Sequence, residues 1–139
     1  MDLKRVGTAA SGERVVSNPV LHDGRITFTS LSPISTDEEP CSNGGTGWLM
    51  ELDALTGGSP DDKTALFDVS KDGKLDATDM AGAQAPSGIG FEAVPNATRV
   101  VRDKENIYRI TSQSTGDISV EQGPQGNQPS GRLSWRQIR

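Results

Sequence analysis

Apolar and polar residues alternate in short stretches of this chain and nowhere keep a helical rhythm. Ile26 and Phe28 alternate with Arg25, Thr27 and Thr29, and Trp48, Met50 and Leu52 recur at every second position. A period of two belongs to a strand, whose successive side chains point to opposite sides, so each apolar set predicts the buried face of a half-buried strand. Asp23-Gly24 stands between two β-prone runs and predicts a tight hairpin. Sixteen glycines and eight prolines cut the chain into short pieces. The predicted fold class is therefore all-β, mostly antiparallel, with little helix.

The strand signals come in two copies. The first spans residues 15–30 and is completed by residues 47–57; the second spans residues 94–112 and is completed by residues 116–121. Pro95 matches Pro19, residues 103–106 replace the Asp23-Gly24 turn, and Gly116-Asp117-Ile118 matches Gly47-Trp48-Leu49. Repeats of one antiparallel unit point to propellers and related arrays, where each unit buries its faces against its neighbours. Leu52-Asp53-Ala54-Leu55-Thr56-Gly57 resembles the blade ending of quinoprotein-type propellers. The expectation is a partial β-propeller of about two quinoprotein-like blades, at about 13–57 and 92–121, with a terminal strand at about 131–138. Propellers have ~4–8 blades, so the chain reads as the C-terminal part of a longer protein, or a truncated relative. Its exposed strand edges would favour self-association.

Composition limits the alternatives. With hydrophobic residues at 32 % and aromatics at 4 %, only a small core is available. A net charge of -5 opposes a nucleic-acid footprint, and the basic groups Arg99, Arg102, Lys104 and Arg132, Arg136, Arg139 read as solvated surface. No segment approaches the ~18 apolar residues of a membrane span, and no export signal is recognisable; the abrupt start Met1-Asp2-Leu3-Lys4 suits a fragment. Cys41 is the single cysteine, with no cationic neighbour to make a catalytic thiolate. His22, the only histidine, reads as a surface residue beside a turn, which leaves no hydrolytic triad. Asn96-Ala97-Thr98 is a nominal glycosylation acceptor inside a predicted strand. The excursion between Ser30 and Gly47 holds Asp37-Glu38-Glu39, read as a solvated acidic loop because its acids lack alternating spacing.

The chemistry concentrates between the two copies, in Asp68-Val69-Ser70-Lys71-Asp72-Gly73-Lys74-Leu75-Asp76-Ala77-Thr78-Asp79. Calcium takes ~6–8 oxygen ligands, and an EF-hand-like loop of twelve residues supplies them at alternate positions around a central glycine. In that scheme Asp68, Ser70, Asp72 and Asp76 give side-chain oxygens, directly or through water, Lys74 gives its carbonyl, and Gly73 makes the turn. Asp79 occupies the twelfth position, where the helix-loop-helix pattern uses a longer bidentate Glu. An ordinary turn at residues 71–74 is the bland alternative; five oxygen-bearing residues in register favour Ca²⁺. Leu66 and Phe67, just ahead, are expected to anchor the loop to a sheet, and the stretch from Gly82 to Gly90 after it to be flexible.

Residues 12–19, 41–53 and 67–69, together with the ending Gly131-Arg132-Leu133-Ser134-Trp135-Arg136, resemble the PilY/PilC family of type IV pilus biogenesis proteins and occur in that family's order. The resemblance implies a C-terminal modified propeller domain, exported beyond the inner membrane and associated with the pilus tip or outer surface. It implies minor pilins, pilus tip components or a host surface as partners, and a calcium site governing pilus extension against retraction. The family's loop positions fall on Asp68, Ser70, Asp72, Lys74 and Asp76; Ser70 stands where a longer Asn or Asp is usual, which implies weaker or water-bridged ligation there. The expectation is a calcium-binding structural module, not an enzyme. Two other readings are a fragment of a quinoprotein-type propeller dehydrogenase and a dockerin-like interaction module, whose loops also end in Asp.

Overall fold

The computed structural model describes residues 12–33, 44–60 and 64–126. Eight strands are present there: β1 (Arg14–Val15), β2 (Val20–His22), β3 (Arg25–Pro33), β4 (Gly45–Asp53), β5 (Gly88–Phe91), β6 (Arg99–Arg102), β7 (Asn106–Ser112) and β8 (Ile118–Pro124). The only helical element among the described residues is a 3-10 turn, Ala77–Asp79. One sheet runs β1-β3-β4-β5 with β2 also on β3; the other runs β6-β7-β8. Every pairing is antiparallel, and the described strands close no barrel. The architecture is all-β and agrees with a partial propeller. Asp37, Glu38, Glu39, Cys41, the predicted strand at 131–138 and the Arg132, Arg136, Arg139 tail lie outside the described residues.

Local chemistry accounts for the turns. Asp23 and Gly24 take φ of 47° and 75°, the left-handed pair that a two-residue hairpin between β2 and β3 requires. After β4, Asp53 folds the chain on itself: its Oδ1 accepts from the amides of Leu55 (3.0 Å) and Thr56 (2.7 Å) and from the Thr56 hydroxyl (2.9 Å). Those bonds hold the Asp53 carboxyl below its usual pKa, the Thr56 amide contributing most. Gly57, at φ 69°, closes the turn by donating to the Asp53 carbonyl. The blade-like ending thus has a physical content: an Asp to cap the turn, a Thr to brace it and a Gly to leave it.

The alternation along β3 and β4 is present, but the faces are reversed. Arg25, Thr27, Thr29, Leu49 and Glu51 are buried, whereas Ile26, Phe28, Met50 and Leu52 are half-buried and Trp48 is 46 % exposed. The register places Ile26 opposite Leu52 and Phe28 opposite Met50, so these side chains share the outer face. Burial follows pairing rather than hydropathy. The inner polar groups find partners on the second sheet, and such pairing makes their burial possible. The second sheet repeats the arrangement, with Ile107, Arg109, Thr111 and Glu121 buried while Val101, Ile118 and Val120 are exposed.

Three further readings change. Pairing of β3 with β4 extends through Leu31–Gly47, Ser32–Thr46 and Pro33–Gly45, so the excursion is shorter than predicted. The stretch after the loop contains β5, whose Gly88 and Gly90 lie opposite Met50 and Trp48; a Cβ at Gly90 would sit 3.5 Å from the Trp48 ring. Glycine there lets large side chains fold over the strand, which is why its composition hid it. Asn96 is exposed in the connection ahead of β6 rather than inside a strand. The apolar core is small: Leu49, Leu66, Phe67 and Ala85, joined by Met80, Ile89 and Phe91.

Candidate metal loop and the buried charges beneath it

Both ends of the loop are fixed to that core. Leu66 and Phe67 enter it fully buried, and Met80 packs against it on the far side. The Asp68 amide donates to the Gln122 carbonyl of β8 (3.3 Å), which fastens the first loop position to the edge of the second sheet. Between these anchors the backbone turns through two left-handed residues, Lys71 (φ 59°) and Gly73 (φ 80°). The sharp turn expected at the sixth-position glycine is therefore present.

The acidic side chains organise the backbone around themselves. Asp68 is buried; its Oδ2 accepts from the Gly73 amide (2.8 Å), and its Oδ1 accepts from the Asp72 amide (3.2 Å) and the Ser70 hydroxyl (3.4 Å). Asp79 is also buried, and its two oxygens accept from the Ser70 amide (2.8 Å) and the Asp76 amide (3.2 Å), joining the start of the loop to its end. Burial alone would raise the Asp79 pKa, but these amides outweigh it and hold the carboxyl low. Asp72 and Asp76 stay exposed: Asp72 accepts from the Lys74 amide (2.8 Å), and Asp76 from the Thr78 amide and hydroxyl, the amide being the main cause of its lowered pKa. Asp76 also caps the 3-10 turn in a reciprocal box with Asp79.

The donor set consists of hard oxygens suited to Ca²⁺. Each bonded carboxylate oxygen retains acceptor capacity, so the amide bonds do not forbid ligation. The structure brings Asp68, Ser70 and the backbone of Asp72 and Gly73 together, and separately Asp79 with Ser70 and Asp76. Among the described residues, no three His, Cys, Asp or Glu side chains converge closely enough to hold a metal. Asp79, expected as the twelfth ligand, acts here as the clasp of the loop. The loop ends in a 3-10 turn, Ala77–Asp79, where a dockerin loop carries a helix.

Below the loop lies a cluster that periodicity did not reveal. Glu51 of β4, fully buried, accepts from Arg25 Nη1 (3.1 Å), Thr27 Oγ1 (3.1 Å) and Arg109 Nε (2.6 Å), with His22 Nε2 at 3.5 Å. Burial pushes the Glu51 pKa up, but the His22 hydrogen bond and the charge and hydrogen bond of Arg109 pull harder, leaving it at about 2. His22 is not a surface residue; its side chain is 8 % exposed and lies 2.7 Å from the Thr27 hydroxyl. Arg25 also donates to the Pro124 carbonyl of β8 (3.3 Å), Thr29 to the Asn96 carbonyl (3.2 Å), and Arg102 pairs with Asp23. Arg102 is thus part of the fastening between sheets rather than solvated surface alone. The available signal was three charges, Arg25, Glu51 and Arg109, each at an alternate position of a strand.

No helix among the described residues is long and apolar enough to cross a membrane. No family model matches the chain, and no solved structure matches it. Curated proteins do. The chain is 38 % identical over 60 residues, 42 % of its length, to the type IV pilus biogenesis factor PilY1 homolog of Xylella fastidiosa. It is 24 % identical over 138 residues, 96 % of its length, to the type IV pilus biogenesis factor PilY1 of Pseudomonas aeruginosa. These matches span 4 % and 11 % of the respective relatives. The curated relatives it matches are therefore PilY1-type proteins, and it spans only a small part of each.

Proposed function

We propose that this chain is a calcium-binding structural module of a type IV pilus biogenesis protein, with loop 68–79 as the metal site and no catalytic role. The observation that carries the reading is the wrapping of the fifth- and sixth-position amides onto the Asp68 carboxylate, with Gly73 left-handed, in a loop of hard oxygen donors. Calcium would be held by Asp68, Ser70, Asp72, the Lys74 carbonyl and Asp76, with Asp79 as clasp or sixth ligand. Its work is to draw the exposed Asp72 and Asp76 toward Asp68 and relieve the repulsion among four carboxylates.

The similarity to PilY1 supports the setting: an exported, pilus-associated protein in which loop occupancy biases pilus extension against retraction, with minor pilins, tip components or a host surface as partners. The exposed apolar outer faces suit stacking against the remaining blades of a longer parent chain. Isothermal titration of the chain with CaCl₂, and separately MgCl₂, tests the site. Saturable calcium heat that is lost in Asp68→Asn is expected; no heat at millimolar calcium overturns the reading.

A further inference from the structure

We infer that Arg109 is a coupling residue, linking cation occupancy of loop 68–79 to the clamp between the two sheets. The inference rests on the calcium reading above and adds how an occupied loop acts on the rest of the molecule. Arg109 is fully buried on β7 and grips three things at once. Its Nε donates to Glu51 on the other sheet (2.6 Å), its Nη1 donates to the Leu66 carbonyl (3.1 Å), and its guanidinium lies 4.6 Å from the centre of the Phe67 ring. Leu66 and Phe67 immediately precede Asp68. The path from the first metal-ligating position to the charge cluster is two residues and one side chain.

That path is stiff. Leu66, Phe67 and Arg109 are all fully buried, and packed interiors transmit displacement instead of absorbing it. Gly123 of β8 leaves no slack, because a Cβ there would collide with the Arg109 guanidinium and the Leu66 carbonyl. Asp68 sits on the same strand edge through its bond to Gln122. A cation that orders Asp68 therefore fixes the Leu66 carbonyl, and with it the orientation in which Arg109 meets Glu51. The planar fork of Arg serves two acceptors in fixed directions; a Lys ammonium on its flexible stem does not reproduce that geometry. Coupling is reciprocal, so loosening the clamp must also weaken the metal.

Amide hydrogen exchange of the full chain, with CaCl₂ or with chelator, reads loop and sheets separately. In the native chain, calcium is expected to slow exchange in the loop and also, roughly tenfold, in β4 and β7. In Arg109→Lys the loop gain persists, the β4 and β7 gain disappears, and calorimetric calcium affinity falls by roughly fivefold or more. Loop protection with unchanged β4 and β7 in the native chain overturns this inference alone, as does full sheet protection in Arg109→Lys. Absence of both loop protection and calcium heat in the native chain overturns the calcium reading and this inference with it. Arg109→Met is the second variant, and the native comparison stands whether or not either variant folds.

Discussion

Glu51 gathers Arg25, Arg109 and His22 around one buried carboxylate. Converting it to Gln keeps the shape but removes the charge that faces the fully buried Arg109, and breaking a buried pair in this way costs about 3–5 kcal/mol. Urea unfolding of Glu51→Gln is expected to reveal a loss of that order. The sign of the pH dependence follows from a folded pKa of about 2 against an ordinary 4.5. The stabilisation is complete above about pH 5 and is lost as pH falls from about 4.5 toward 2, on the order of 3 kcal/mol in all. Unfolding free energies measured from pH 7 to 2 should show this acid limb in the native chain and a flatter one in Glu51→Gln. At this scale the sequence was least legible. Period two locates the two faces of a strand but does not say which is inside, and here long-range ion pairs settled it.

Turns were legible because their chemistry is local. Asp23-Gly24 and Asp53 to Gly57 each carry their own instructions, and the sharp turn expected at Gly73 is present, with that glycine left-handed. The β5 strand was not legible, since its two glycines read as flexibility until Met50 and Trp48 are seen across from them. Nor was the role of Asp79, whose side chain meets amides from opposite ends of the loop only once the loop is closed. Gly73 offers a test for the loop as an element. A Cβ there meets nothing within 4 Å, so Gly73→Ala acts through backbone strain at φ 80° alone. That strain costs about 1 kcal/mol, so urea unfolding of Gly73→Ala in the absence of calcium should show a loss of that order. An unchanged unfolding free energy would mean that the left-handed turn is not part of the folded loop.

The described residues form two small sheets joined by buried charges, with apolar residues displayed outward. Leu21 is 68 % exposed on the first sheet and Val120 57 % on the second. Such faces favour association, so sedimentation of the isolated chain is expected to show concentration-dependent self-association. Leu21→Lys with Val120→Lys should abolish it while changing stability by less than about 1 kcal/mol, as exposed substitutions do. In the proposed function calcium completes the fold through loop 68–79, and thermal unfolding in CaCl₂ against chelator is the decisive measurement. At calcium about a hundredfold above its dissociation constant, the native chain should gain about 2.7 kcal/mol, a rise of roughly 10 °C in Tm, and Asp68→Asn should gain little. An identical Tm for the native chain with calcium and with chelator would contradict the account.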